Sequence, residues 1–416
     1  MKEYEVRSMD LAPEGHKKIE WVRNNMPILR MLEDEFKRDK PFAGVKISLS
    51  IHMEAKTAYL CRVLALGGAE LAATGSNSLS TQDDVAAALA DSGVRVFAVH
   101  GVSQEDYERH LEMTLEHRPN IIIDDGGDLV SLVHTKRPDL AEEVWGGCEE
   151  TTTGILRLKA MEREGALRFP MLAVNNARCK HLFDNRYGTG QSVWDSLMRN
   201  TNLIVAGKQV VVAGYGWCGK GIAARASALG ARVIVTEIDP VAAMEAVMDG
   251  FEVMPMDRAA ERGDVFITAT GCRSVIRGEH MGRMKDRAIL ANAGHFNVEI
   301  DMEELEREAV EKRELRKNVT GYRLPEGNWV CVLAEGRLVN IAAADGHPAE
   351  IMDLSFAVQL QAALYLMEHR GRLEKKVTDV SAEIDRRIGR WQLAAWGTDI
   401  DSLTEEQALY LKSWNF

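Results

Sequence analysis

Lys208-Gln-Val-Val-Val-Ala-Gly214-Tyr-Gly216-Trp-Cys-Gly219-Lys-Gly-Ile222, followed downstream by Arg232-Val-Ile-Val-Thr236 and Glu237, decides the fold. It reads as a strand, a Gly-x-Gly-x-x-Gly turn, a helix and a second strand closed by an acid, which is the layout of a dinucleotide site. Gly214 permits the tight turn, Gly216 lets the backbone approach a pyrophosphate on the helix N-terminus, and Gly219 lets the helix pack on the strand. Glu237 is expected to hold the adenosine ribose hydroxyls. A carboxylate there would repel a 2′-phosphate, so NAD is expected over NADP.

The motif begins in mid-chain, and 416 residues are enough for two ordinary domains. The preceding half alternates β-rich runs (Val45 to Ser50, Glu70 to Ala73, Val94 to Val99, Ile121 to Ile123, Met171 to Val174) with helical patterns (Glu54 to Leu66, Asp83 to Ala90, Glu105 to Leu115). Such alternation predicts parallel βαβ units with both faces covered. Beyond the motif, strands are expected at Gln209 to Ala213, Arg232 to Thr236, Val265 to Ala269 and Ala288 to Asn292. A hairpin is expected around Pro325 and Trp329 to Leu333, and a long helix from Ile351 to His369 returns to the first half. The expected fold is α/β, with two Rossmann-like doubly wound parallel-sheet domains and a small helical C-terminal tail. Residues 1–186 and 348–372 would bind substrate, 187–347 would bind NAD, and 373–416, ending in Trp414-Asn-Phe416, would pack on another subunit.

Charge and cysteine usage narrow the class further. Lys and Arg number 51 against 63 Asp and Glu, a formal charge of −12, which disfavours nucleic acid or an anionic membrane surface as partner. The opening Met1-Lys-Glu-Tyr-Glu-Val-Arg lacks the apolar core of a signal peptide, and no run reaches the length of a membrane span, so a cytoplasmic protein is expected. Six scattered cysteines without a Cys-x-x-Cys pair indicate neither a disulfide framework nor a structural zinc site.

In parallel sheets, ligands sit at the carboxyl ends of the strands, so the polar clusters that follow these runs should converge on one crevice. His52, Ser76-Asn77, Asp124-Asp125-Gly-Gly-Asp128 and Asn175-Asn176 are those clusters. Crowded carboxylates raise one another's pKa, which suits Asp125 to carrying protons; Asp128 is read as a helix cap. Between the halves lie Glu149-Glu150-Thr151-Thr152-Thr153 and Lys180 to Gly188. Lys180 and Asp184, four apart, share a helical face and can reach adjacent hydroxyls of one ligand, although a surface ion pair has the same spacing. His295 and His347 each follow a glycine at the rim of the cofactor domain, without a role fixed by spacing. From the residues alone, the chain is an NAD-dependent enzyme acting on a hydroxyl-bearing ligand.

These segments, in this order, resemble the adenosylhomocysteinase family over nearly the whole chain. The matching motifs are Ser-Ile-His52-Met, Ser80-Thr-Gln-Asp83, Asp124-Asp-Gly-Gly-Asp-Leu, Glu149-Glu-Thr-Thr-Thr-Gly, Phe183-Asp-Asn-Arg-Tyr-Gly, Val212-Ala-Gly-Tyr-Gly, Asn292-Ala-Gly-His-Phe-Asn-Val-Glu-Ile and Leu333-Ala-Glu-Gly-Arg-Leu-Val-Asn340. The resemblance implies reversible hydrolysis of S-adenosyl-L-homocysteine to adenosine and homocysteine. The route is transient 3′ oxidation with NAD, elimination, water addition and re-reduction. It implies that Lys180, Asp184 and Glu150 hold the ribose, and that Asp125 and His52 handle protons at the 4′ and 5′ positions. It also implies that Asn185 and His295 align cofactor and substrate, that Thr151, Thr152, Thr153 and Asn340 bind the nicotinamide half, and that His347 guards the entrance. A cytoplasmic homotetramer of the methyl cycle is the implied setting.

Three departures from the family pattern stand out. Thr189 replaces a usual cysteine, so a thiol there cannot be essential. The usual tail carrying lysine and tyrosine is missing from the end at Phe416, which would let NAD exchange more readily. Glu54 and Lys56, before Thr57, replace the threonine and the adenine-reading Glu or Gln. An ammonium only donates, so Lys56 either reads the 6-oxo group of hypoxanthine, making S-inosyl-L-homocysteine a substrate, or pairs with Glu54 or Asp83. A two-domain hydroxyacid or alanine dehydrogenase would share the NAD motif without explaining Lys180, Asp184 and Asp125 together. A catalytically silent NAD or nucleoside sensor is the non-enzyme alternative.

Overall fold

The computed structural model describes residues 3–414, so the terminal Phe416 lies outside the described residues. Strands β1 (Tyr4–Glu5), β2 (Lys46–Ser50), β3 (Glu70–Thr74), β4 (Arg95–Phe97), β5 (Ile121–Asp124), β6 (Gly146–Glu149) and β7 (Met171–Ala173) come first. Then follow β8 (Gln209–Ala213), β9 (Arg232–Thr236), β10 (Glu252–Val253), β11 (Val265–Thr268), β12 (Ala288–Asn292), β13 (Glu311–Arg316), β14 (Val319–Arg323), β15 (Trp329–Leu333) and finally β16 (Val377–Asp379). The first sheet has the order β1-β4-β3-β2-β5-β6-β7-β16 and is parallel throughout. The second has the order β10-β9-β8-β11-β12-β15-β14-β13, and its pairing is antiparallel only where β14 meets β15 and β13.

Each sheet is buried on both faces, as helical crossovers on both sides require. Ile121 and Ile123 of β5 enter one apolar layer and Ile122 the other. Val210 and Val212 of β8 face away from Val211 in the same way. The period-2 pleat therefore turns each all-apolar run into two half-cores. At roughly 25 cal/mol per Å² of apolar surface, each fully buried Val or Ile contributes about 2 kcal/mol, so these central strands anchor whatever is mounted at their ends.

Both sheets reverse their winding direction at one place. In the first, the chain proceeds from β2 outward through β3 and β4 on one side and through β5, β6 and β7 on the other. In the second, β8 leads to β9 and β10 on one side and to β11 and β12 on the other. Such a switch point leaves a crevice at the carboxyl ends, where adjacent connections part. His52 follows β2 and Asp125 follows β5; Gly214 follows β8 and Ala269 follows β11.

The chain passes from the first sheet to the second between β7 and β8, and returns between β15 and β16. The return runs through the helix Ala349–Glu368, whose Leu354, Phe356, Val358 and Leu360 lie in the core of the first sheet. Asp353 pins that helix by accepting the Ile28 and Leu29 N–H groups at 2.8 Å each. Part of the 373–416 segment also builds onto the first sheet: β16 pairs with β7, and Ile384 and Ile388 enter the same core. The helix Glu405–Lys412 buries none of its residues and leaves Leu409, Tyr410 and Leu411 exposed.

Candidate active site

The cofactor turn has the geometry its glycines require. Gly214 has φ +93°, a left-handed value that strains any residue with a Cβ, and a Cβ on Gly219 would lie 1.9 Å from the Gly214 carbonyl oxygen. At Gly216, the N-cap of the helix Trp217–Ala228, a Cβ would meet no described atom within 4 Å, so the backbone there is open to a ligand. Glu237 is held in place by N–H groups of Tyr215 (2.6 Å) and Ile238 (2.7 Å). Gly214, Gly216 and Glu237 line a cleft of about 980 Å³, while Gly219 lies behind it and supports the turn.

The opposite wall carries the charged cluster. Lys180, in the short helix Arg178–His181, is buried, and its Nζ lies 3.4 Å from Asp184 Oδ1 and 3.6 Å from Glu150 Oε1. It donates to Asn185 Oδ1 at 2.9 Å and Asn175 Oδ1 at 3.2 Å. At an effective dielectric near 20 a charge pair at this separation is worth about 5 kcal/mol, comparable to the several kcal/mol lost on desolvating one ion. Burial accordingly disfavours the ammonium, but Asp184 and Glu150 outweigh it and raise the Lys180 pKa above its usual value. The Asp184 carboxylate is also buried. Lys180 and His347 overcome that burial and hold its pKa below the normal carboxylate range.

Glu150 responds differently. Burial pushes its pKa up to about 8 despite the nearby ammonium, with Asp184 adding to the rise. Its Oε1 finds no hydrogen-bond partner among the described residues. Its Oε2 accepts from Gln359 at 2.5 Å, and Asp184 Oδ2 accepts from Ser355 at 2.7 Å. The sequence reading does not single out Ser355 and Gln359. Their signal is a pair of polar residues four apart on the buried side of a largely apolar helix that also buries Asp353 and Gln361.

The ends of β2 and β5 supply the third group. His52 Nε2 lies 3.4 Å from Asp125 Oδ2, and Ser76 Oγ bridges the two, 2.9 Å from His52 Nδ1 and 3.1 Å from Asp125 Oδ2. Burial lowers the His52 pKa to about 4, against the pull of Asp125, so the ring is neutral and able to accept a proton. His295 Nδ1 sits 3.7 Å from Asp125 Oδ1. These three offer ligand atoms within 4.8 Å of one another, a spacing that a divalent cation could bridge.

Asp128 is not the helix cap expected of it. Gly127 occupies the cap, and Asp128, the first helical residue, pairs with Arg157 at 2.7 Å and accepts the Tyr107 hydroxyl at 3.0 Å. His347 reaches Asp184 with Nδ1 at 3.0 Å and meets Thr189 with Nε2 at 3.2 Å. Thr151, Thr152, Thr153 and Asn340 line the cleft, as do Thr57 and Glu54. Lys56 does not: its Nζ pairs with Glu54 Oε2 at 2.6 Å and donates to the Asp345 carbonyl at 2.7 Å, leaving Asp83 to Arg7.

These residues fit a bound dinucleotide. Beyond the open backbone at Gly216, the buried Asn340 Oδ1 lacks a partner among the described residues, as a group that receives a ligand amide would. A nucleotide turn on one wall and a buried, proton-bearing cluster on the other define a two-lobed α/β enzyme that uses a dinucleotide. Comparison with known proteins narrows this class. Residues 3–140 match the S-adenosyl-L-homocysteine hydrolase family model, and residues 185–346 match that family's NAD-binding domain.

The adenosylhomocysteinase of Pyrococcus abyssi is 58% identical over 99% of this chain and 98% of its own. The S-inosyl-L-homocysteine hydrolases of Methanopyrus kandleri and Methanocaldococcus jannaschii are each 55% identical, over 99% of this chain and 97% and 99% of theirs. The chain belongs to the S-adenosyl-L-homocysteine hydrolase family, and its cofactor is NAD.

Proposed function

We propose that this enzyme hydrolyses S-adenosyl-L-homocysteine reversibly to adenosine and L-homocysteine. The observation that carries this reading is the Lys180 ammonium between Asp184 and Glu150, facing the glycine turn across one cleft. NAD, when bound, supplies the reversible oxidation of the ribose 3′ carbon, which acidifies the neighbouring 4′ hydrogen.

The residues then divide the proton work. Asp184 accepts from the ribose hydroxyls, and Glu150, whose pKa burial raises, meets the same sugar. Lys180 is charged between its carboxylate partners, so it can take a hydroxyl proton only after a ligand displaces part of that pairing. Asp125 removes the 4′ proton, and neutral His52 serves the 5′ position, where the C–S bond breaks and a C–O bond to water forms. Asn185 and His295 align the reactants. Thr151, Thr152, Thr153 and Asn340 hold the nicotinamide end, Glu237 the adenosine ribose of the cofactor, and His347 stands at the entrance.

A second reading is S-inosyl-L-homocysteine as substrate, supported by the two S-inosyl-L-homocysteine hydrolases among its relatives. Glu54 lines the cleft, and Lys56, held behind it by Glu54 and the Asp345 carbonyl, would turn from one of these partners to donate to a 6-oxo base. The setting proposed is a cytoplasmic homotetramer in the methyl cycle. The exposed apolar side chains of Leu409, Leu411 and Trp414 support assembly, and no helix among the described residues is long and apolar enough to cross a membrane. Residues 1–186 and 348–372 are proposed to bind substrate and 187–347 NAD. Homocysteine release from the two thioethers at equal concentration tests the reading. Preference for either compound assigns the base, and release from neither favours a sensor.

A further inference from the structure

Glu149 ends β6 and is the cross-strand neighbour of Asp124. Its side chain is fully buried and does not line the cleft. One carboxylate oxygen, Oε1, accepts two backbone N–H groups, from Gly126 and from Thr151, at 2.9 Å each. The other, Oε2, finds no hydrogen-bond partner among the described residues. Gly126 directly follows Asp125, and Thr151 opens the three-threonine run that lines the cleft. A single oxygen atom thus joins the turn that presents one reacting group to the loop that borders another.

The surroundings are shaped for this carboxyl group. A Cβ on Gly154 would fall 2.2 Å from Glu149 Cδ, so the helix Thr152–Arg163 approaches closely only because residue 154 is glycine. Gly126 itself has φ +109°, a conformation that leaves its N–H turned toward Glu149. Burial, reinforced by Asp124 and Asp125, raises the Glu149 pKa well above the carboxylate range. A neutral acid still provides the acceptor these two N–H groups need, and without it both would be left unpaired in the interior.

We propose that Glu149 is a positioning residue of the reaction, whose Oε1 fixes the distance between Asp125 and the Thr151 loop and does so as an acceptor, not as a charge. It rests on the roles given above to Asp125 and the threonines.

The test uses the full-length holoenzyme and two variants. Glu149→Gln keeps a carbonyl oxygen at the Oε1 position, and Glu149→Ala removes it. The expected result is that Gln retains parental thiol release, pH profile and NAD affinity within about threefold. Ala should lose roughly tenfold to a hundredfold in kcat and bind NAD more weakly, with an altered pH profile. A residue with only a structural role would lower the melting temperature of Ala without moving NAD affinity or the pH profile, and that result overturns the proposal. So does a folded Gln variant as impaired as Ala, which would show that charge is what matters. If Ala does not fold, the Gln variant alone decides. Absence of thiol release in the parent would refute the functional reading instead, and NAD titration of the variants would still test Glu149.

Discussion

His347 Nδ1 lies 3.0 Å from Asp184 Oδ1, so a residue on the strand-free return to the first sheet contacts the carboxylate that also faces Lys180. This contact helps keep Asp184 ionised. His347→Ala should raise the Asp184 pKa and move the acid limb of the kcat profile upward in pH, while Tm changes little. A profile identical to the parent's would separate His347 from the charge state of the cluster.

Lys180→Met replaces the ammonium by an apolar chain of similar length and leaves Asp184 and Glu150 without the cation between them. Thiol release should fall by roughly a hundredfold or more, the usual weight of a proton-transfer group. NAD affinity should be nearly unchanged, because the glycine turn lies on the other wall. Parental turnover would remove Lys180 from the chemistry.

Two glycines of the cofactor turn should fail in different ways. Gly219→Ala drives a Cβ to 1.9 Å from the Gly214 carbonyl oxygen, so both Tm and NAD affinity should drop, with a stability loss of about 3 kcal/mol or more. Gly216→Ala meets no described atom within 4 Å and should fold with parental Tm, yet bind NAD at least about tenfold more weakly because the methyl occupies ligand space. Calorimetry and NAD titration on the pair read both quantities.

Asp353 supplies a pH signature of stability away from the charged cluster. Burial raises its pKa to about 7, opposed by the Ile28 and Leu29 N–H groups and Arg30. A carboxyl group whose pKa rises on folding favours the folded state while protonated. Its contribution is therefore present below about pH 4 and is lost as pH rises toward 7, by up to about 4 kcal/mol. Asp353→Asn should flatten the fall of unfolding free energy over that window, as denaturant titrations at several pH values would show.

Lys56→Gln exchanges a donor for an amide that can also accept. It should lower kcat/KM for the inosyl thioether relative to the adenosyl compound by roughly tenfold, the scale of one lost polar contact in a buried site. An unchanged ratio would assign Lys56 wholly to its bonds with Glu54 and Asp345.

The order of elements is legible in the sequence because the central strands are long apolar runs punctuated by glycine and acid, as in Gln209–Ala213. β6 is not, since Gly146-Gly147-Cys148-Glu149 has little intrinsic strand preference. The reason lies in its neighbours: a Cβ at Gly147 would lie 2.7 Å from the Met171 sulfur and 3.0 Å from the Ile122 carbonyl oxygen, so the tight spacing between strands favours glycine. The cluster of Lys180, Asp184 and Glu150 can be inferred from spacing and motif. Its supports, Ser355 and Gln359, cannot, because they enter from a helix about 170 and 210 residues further on. Asp128 misleads because an acid at a helix start resembles a cap, whereas left-handed Gly127 already holds that position.

The two crossings between the sheets nearly touch. A Cβ on Gly188 would sit 3.0 Å from the His347 ring, beside Asp184. Both links between the sheets therefore bear on one carboxylate, and a substitution in either reaches the charged cluster without passing through a sheet.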